Sequence, residues 1–196
     1  MRPDRDRRAG HRHREPCGAA ARGIADRNGH HHMSGFRLDA RDVEILRILE
    51  AEGRITKAEL ATRINLSPTP CWDRLKRLEK AGIIAGYGAR VSLRALAPHV
   101  VIFVAVELET HKTDQFQTFE DAVQEIPEIT ACWALGGGFD YLLQVVARDI
   151  DAYQRLIDRM LASDIGMARY YTYIVTKPVK APSPLPYAAL DLPPKD

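Results

Sequence analysis

Several things are scarce in this chain of 196 residues. The three cysteines, Cys17, Cys71 and Cys132, are an odd number, widely spaced and without a C-x-x-C pair. This excludes a disulfide framework and a thiolate zinc site, and makes a reducing, cytoplasmic compartment the expectation. No apolar run approaches the ~20 residues a membrane helix needs, and the Arg-rich N-terminus lacks the apolar stretch of a signal peptide. Neither a membrane span nor export is expected. Catalytic groupings are missing as well: His99 and His111 stand alone, Cys132 lies within an apolar run, and no carboxylate pair or Ser/His/Asp set falls at usable spacing. No enzyme, metal site or cofactor is expected.

Positive charge is scarcer in the body of the chain than the net +2 suggests. Residues 1–32 hold eight Arg against four acidic residues, which leaves residues 33–196 at −2. This leader contains five of the seven histidines, no Lys and one large aliphatic residue, Ile24. Such a segment cannot bury enough apolar surface to offset its ordering entropy, so it is expected to be disordered. Three readings of His30-His31-His32 compete: a metal-binding tract, a fragment of a tag, or sequence upstream of a mis-assigned start. Met33, directly before the first patterned segment, favours the last. At the other end, residues 178–196 contain six prolines in 19 residues and read as an extended, unpacked tail.

What is present begins with helical periodicity. Asp39 is an N-cap candidate, Ile45, Ile48 and Leu49 form a stripe with Leu46 on its flank, and Gly53 closes the segment. Thr56-Lys-Ala-Glu59 has the form of a capping box for a second helix buried through Leu60, Ala61 and Ile64. Asn65-Leu66 makes the turn, and Ser67-Pro68 starts a third helix with a good N-cap residue and Pro at its first position. Three short helices with a tight turn between the last two form a helix-turn-helix. On a 100° wheel Cys71, Leu75 and Leu78 fall within about 60° of one another and face the core. Thr69, Asp73, Lys76, Arg77 and Lys80 then face outward, with Trp72 and Arg74 on the flanks.

That outward face is basic and suits the major groove of double-stranded DNA. Base readout is assigned mainly to Thr69, Pro70, Asp73 and Arg74, and phosphate contact to Lys76, Arg77 and Lys80, with Ser67 and Trp72 completing the set. Asp73 either accepts from cytosine N4 or pairs with Arg77 or Arg74. The same charges are also what a merely solvated helix face would carry; the capped helix before them argues against that. So does the sequel Gly82-Ile-Ile-Ala-Gly86-Tyr87-Gly88, which reads as a glycine-punctuated strand and turn, a wing beside the backbone with Arg90 available for phosphate. Cys71 lies on the core stripe and reads as a small buried residue rather than a redox sensor.

After Pro98 the pattern changes. Val100 to Leu108 is a nearly continuous apolar run, a strand. Phe116, Phe119, Val123 and Ile126 mark an amphipathic helix stopped by Pro127. Ile129 to Leu135 and Tyr141 to Val146 read as strands joined by a glycine-rich turn. A helix comes next, capped near Asp149 and marked by Tyr153, Leu156, Ile157 and Met160, and then a strand from Ala168 to Val175. The order β-α-β-β-α-β predicts a ferredoxin-like unit with both helices on one face of an antiparallel sheet. The fold class is therefore α+β: a winged helix-turn-helix over 37–98 and a ferredoxin-like domain over 99–177. Val100 to Leu108 is apolar on both faces, so the sheet's second face should be covered by another subunit. A homodimer is expected, with half-sites one helical turn apart or a multiple of it.

Leu38-Asp39 with Asp42 and Ile45-Leu46, Gly53-Arg54-Ile55, Leu66-Ser67-Pro68-Thr69-Pro70-Cys71, Arg74-Leu75, Arg77-Leu78-Glu79, Gly82-Ile83-Ile84 and Gly86-Tyr87 together resemble the Lrp/AsnC, or feast/famine, transcriptional regulators. The resemblance runs in order from residue 37 to about 180, and its Ser-Pro-Thr-Pro-Cys element is highly specific. It implies a winged helix-turn-helix, a linker strand around Val91 to Pro98, and a ligand-binding and oligomerisation domain that assembles dimers into tetramers, octamers or larger rings. By the same resemblance Gly136, Gly137, Gly138, Phe139 and Asp140 form the site of a small amino-acid-like effector at a junction between dimers. Asp140 would accept from its ammonium group and backbone N–H groups would take its carboxylate. The alternatives stay open: the glycines can simply permit positive φ in a β-turn, and Asp140 can simply cap it. The chain departs from the leucine-responsive pattern at Gly138, where those relatives carry an acidic residue, and at Gly136, where a hydroxyl residue is common. Leucine is therefore not carried over. The stretch from Gly136 to Gln144, with Arg169-Tyr-Tyr-Thr-Tyr173, looks most like the subgroup found with ectoine catabolism, implying a diamino-acid intermediate as signal. The functional expectation is a DNA-binding regulator of amino-acid-related metabolism. The alternative is a metabolic sensor acting through protein partners without specific DNA recognition.

Overall fold

The computed structural model describes residues 36–190 and Leu192. Expectations for residues 1–32, the His30-His31-His32 tract and Cys17 lie outside them. The described residues divide into two units, one of 36–89 with 183–190 and Leu192, the other Arg90–Pro182. No helix among them is long and apolar enough to cross a membrane.

In the first unit, α1 (Ala40–Ala51), α2 (Lys57–Arg63) and α3 (Pro68–Lys80) pack around Val43, Ile45, Leu46, Leu60, Ala61, Ile64, Cys71, Leu75 and Leu78. Leu46, expected on the flank of the α1 stripe, lies in this core, whereas Ile48 and Leu49 are only partly buried. Asp39 caps α1 through a reciprocal box: the Asp42 N–H donates to Asp39 Oδ1 (2.9 Å) and the Asp39 N–H donates to Asp42 Oδ2 (3.1 Å). The Thr56 box is half made, since the Glu59 N–H donates to Thr56 Oγ1 while the Glu59 carboxylate turns to Arg63. The turn into α3 places Asn65 at φ 53°, a left-handed conformation that Asn tolerates better than most residues. Gly82, at φ 70°, turns the chain out of α3.

Two expectations after α3 need correction. No strand forms between Gly82 and Pro98; the only regular element there is a single helical turn, α4 (Leu93–Leu96). A strand needs a partner for its N–H and C=O groups, and the described residues pair none with the Val91–Pro98 stretch. The tail is the second. It was expected to be extended and unpacked, yet Tyr187 is buried in the first unit's core at the start of a 3-10 turn, Tyr187–Leu190. A Pro-rich composition disfavours helix and ladder but does not prevent one aromatic side chain from finding an apolar groove.

The second unit is the βαββαβ arrangement. Strands β1 (Val100–Leu108), β2 (Ile129–Ala134), β3 (Tyr141–Ala147) and β4 (Met167–Ile174) form an antiparallel sheet in the order β2-β3-β1-β4. Helices α5 (Thr113–Gln124) and α6 (Ile150–Ala162) cover one face, where Phe119, Val123, Tyr153, Leu156, Ile157 and Met160 meet Ile102, Val104, Val106, Leu143 and Val145. Asp149 caps α6 by accepting the Ala152 N–H at 2.7 Å. The alternate residues face the other way: Phe103 pairs with Tyr173, Ala105 with Tyr171, and Leu142 with Trp133. In this single chain that second face leaves Trp133, Tyr171 and Tyr173 exposed.

Gly166, in the turn before β4, has φ +76°, and a Cβ built there would lie 1.8 Å from the Gln115 side chain. Gly166→Ala is expected to destabilise this unit by about 1–2 kcal/mol through the left-handed backbone alone. Urea unfolding of the variant beside the parent checks this, and an unchanged midpoint would refute it.

Candidate functional site

Helix α3 owes its position to three side chains turned inward, Cys71, Leu75 and Leu78. Burial pushes the Cys71 thiol above its ordinary value, which fits an inert packing role. Ser67, Thr69, Pro70, Asp73, Lys76, Arg77 and Lys80 are all exposed on one end and outer face of the helix, with Trp72 and Arg74 half-buried at its edges. Ser67 has extended backbone and its hydroxyl makes no capping hydrogen bond, which leaves that oxygen at the surface.

Arg74 differs most from the sequence reading. Its guanidinium donates to Asp39 Oδ2 at 2.5 Å and to Asp42 Oδ1 at 2.9 Å, bracing α3 against the first turn of α1. Arg77 donates to the other Asp42 oxygen and lies 5.1 Å from the Phe36 ring centroid, with its side chain still 48% exposed. Asp42 itself is fully buried. Burial alone would raise the Asp39 carboxyl, but the Asp42 N–H and the Arg74 guanidinium outweigh it and hold that group below the ordinary carboxylate range. Both arginines thus pair with Asp42, not with Asp73. Arg74, expected to reach base edges, is engaged within the fold.

Lys57 is a residue that the sequence reading missed. It opens α2, and its Nζ lies 3.3 Å from the centroid of the Trp72 ring, with Lys76 Nζ 5.0 Å from the same ring. Its place at the first position of the helix before the turn was the available signal, because in helix-turn-helix docking the first helix crosses the phosphate backbone. Tyr87 is held to α3 by its hydroxyl donating to Glu79 Oε1 at 2.8 Å, and burial with that carboxylate pushes its phenol up to about 12. Arg90 is exposed and belongs to the second unit.

In the second unit, Gly136, Gly137 and Gly138 lie between β2 and β3. None has positive φ, and a Cβ on any of them would meet open space. The turn therefore does not need glycine for its backbone; what the three residues provide is bare, approachable peptide. Phe139 packs its ring 5.1 Å from that of Tyr171. Asp140 Oδ2 accepts the Leu108 N–H at 2.8 Å, and Oδ1 lies 3.2 Å from His111 Nε2. His111 stands alone in the sequence but not in the fold. The β1–β3 register, which pairs Val106 with Tyr141, brings the end of β1 and the loop leading to α5 beside the start of β3. Behind the loop, the Tyr141 hydroxyl donates to Glu120 at 2.9 Å. The Cys132 thiol is pushed up to about 11 by burial and the Glu120 carboxylate. Among the described residues no group of three His, Cys, Asp or Glu side chains is placed to hold a metal ion.

Similarity to known proteins covers both units. A winged helix-turn-helix DNA-binding family matches residues 38–85, and the Lrp/AsnC ligand binding domain matches residues 101–185. The chain is 54% identical over 148 residues to the transcriptional regulatory protein DoeX of Halomonas elongata, covering 76% of this chain and 94% of that one. It is 40% identical over 146 residues to the leucine-responsive regulatory protein of Escherichia coli K12, covering 74% of this chain and 89% of that one. Among solved structures, a transcriptional regulator from Neisseria meningitidis in complex with L-Met aligns with TM-score 0.72 and 36% identity, over 78% of this chain and 99% of that one. An AsnC family regulator from Agrobacterium tumefaciens aligns with TM-score 0.73 and 31% identity over the same shares.

Proposed function

Because the chain belongs to the Lrp/AsnC family of DNA-binding transcriptional regulators, we propose that it reads its operator with α3 and answers to a small amino-acid-like molecule at the 136–140 loop. One observation carries the DNA-binding part: α3 presents an exposed basic face at turn-helix spacing, locked at its edge by the Asp42 network. Thr69, Pro70 and Asp73 occupy the N-terminal, outward positions from which a recognition helix meets base edges, with Ser67 beside them. Lys57, Lys76, Arg77 and Lys80 supply phosphate contacts, and Trp72 orients the first two through its ring. Arg74 acts as a brace rather than a reader, and Arg90 remains a phosphate contact by charge and exposure alone.

Two copies pair through the sheet face that carries Trp133, Tyr171 and Tyr173, which takes these exposed aromatic side chains out of water. The dimer presents two α3 helices to half-sites, and dimers associate further, to tetramers or octamers. The effector enters beside Phe139 and Tyr171, its carboxylate on the bare peptide of Gly136, Gly137 and Gly138 and its ammonium group on Asp140. The higher identity to DoeX than to the leucine-responsive protein, with Gly at 138, supports a signal other than leucine, and a diamino acid linked to ectoine breakdown fits the sequence resemblance.

Footprinting on the upstream region of the protein's own gene, with and without amino acids, tests this reading. A protected site that responds to an amino acid is expected; absence of any sequence-specific protection would instead favour a sensor that acts through protein partners. Lys80→Ala should weaken binding to operator and random DNA alike and reduce the slope of log K against log salt by ~1. A loss confined to the operator would move Lys80 into the base-reading set.

A further inference from the structure

The chain leaves the helix-turn-helix unit after residue 89, builds the whole sheet-bearing unit, and returns at residue 183. The returning segment makes specific contacts. In Pro184-Leu185-Pro186 the prolines have no N–H, so Leu185 holds the single backbone donor, and it faces both oxygens of the Glu50 carboxylate at 3.3 and 3.4 Å. Two residues on, the Tyr187 hydroxyl donates to Glu50 Oε2 at 2.7 Å, and the Arg47 guanidinium lies 5.5 Å from the centre of the Tyr187 ring. Tyr187 is 6% exposed, and with Leu185, Leu190 and Leu192 it walls an apolar hollow of about 400 Å³ whose other side is Leu46, Leu49, Ile83 and Ile84. The 3-10 turn is closed by the Ala189 N–H donating to Pro186 O at 2.8 Å.

We propose that α1 and the Ile83–Ile84 turn form a docking surface for a Leu-Pro-Tyr segment, and that its occupant is this chain's own returning segment, residues 183–190 with Leu192. Glu50 is the recognition residue: it accepts from one backbone N–H and one hydroxyl at a fixed separation that the flanking prolines hold in an extended form. The prolines also lower the freedom the segment loses on docking. Because the segment is tethered, its effective concentration at the groove is of the order of millimolar, so weak intrinsic affinity suffices. The sheet-bearing unit is thereby joined to the DNA-binding unit at two places in the chain instead of one. This docking depends on neither the DNA-reading face nor the effector loop.

The test uses the full chain and a chain ending at Pro182, compared by thermal melting and by hydrogen exchange of the α1 amides. The shortened chain is expected to melt about 5–10 °C lower in its helix-turn-helix unit and to lose protection over residues 44–51. A synthetic peptide of residues 183–192, added at about millimolar concentration, should restore both, whereas the same peptide with Tyr187→Ala should not. Glu50→Ala in the full chain, a change that favours helix and keeps the apolar lining of the groove, should reproduce part of the loss, and shortening that variant should cost less than shortening the parent. Unchanged melting and protection in the shortened chain would overturn the proposal. So would full additivity of Glu50→Ala and truncation.

Discussion

Asp42→Ala is expected to destabilise the DNA-binding unit by about 2–4 kcal/mol, the sum of the return half of the capping box and charge-assisted hydrogen bonds to two arginines. Asp42 is fully buried, yet each of its carboxylate oxygens meets a guanidinium, and one also accepts the Asp39 N–H. Removing it leaves Arg74 on Asp39 and lets the half-exposed Arg77 return to water, which keeps the cost below that of stranding a buried charge. Chemical unfolding followed at Trp72 gives the number; a shift under 1 kcal/mol would mean that the network contributes little. Arg74→Ala should cost less, because Asp42 keeps Arg77, and should weaken operator and random DNA by the same factor. A loss restricted to the operator would return Arg74 to the base readers. Acid should act on the same network. The folded Asp39 carboxyl sits below its ordinary value of 3.8, so its contribution is present above that pH and is lost as pH falls through the lower folded value. Asp39→Asn should flatten that acid limb of the stability curve.

Asp140→Ala should abolish the change in DNA affinity caused by the amino-acid signal, reducing a coupling of roughly 5–150-fold to none, while DNA binding without the signal persists. The residue has two duties that a single deletion confuses. Its Oδ2 closes the Leu108 N–H, a structural task that an amide oxygen performs equally well, while Oδ1, next to His111, is the oxygen proposed for the ammonium group. Asp140→Asn separates them by retaining the first and removing the charge needed for the second. Loss of response in both variants supports the effector role. A full response in the Asn variant would reduce Asp140 to a turn cap. A thermal-shift screen with amino acids and diamino acids supplies the ligand, since binding at a hundredfold excess over Kd stabilises by about 2.7 kcal/mol.

Period and capping chemistry made most of the fold legible. β1 spans the same residues in sequence and structure, and all four apolar residues read for α6 are buried. These elements carry their own signal because one face meets one core. The misses share a different cause. His111 and Asp140 are 29 positions apart and meet through strand register, which periodicity does not encode. The partners of Arg74 lie on α1, and a wheel drawn for α3 alone places its side chain on a flank without saying what stands there. Tyr187 lay in a composition that reads as tail, and only the groove between α1 and Ile83 explains its burial.

Glu50 and Tyr187 meet across 137 positions, more than two thirds of the chain. On the ribosome, at roughly 5–20 residues per second, α1, α2 and α3 emerge first and must wait for the whole of the sheet to be made before the last piece of their core arrives. β1 waits too, since Ile102 pairs with Ile174. The helices that carry the DNA-binding face are thus made before the sheet-bearing unit and completed after it.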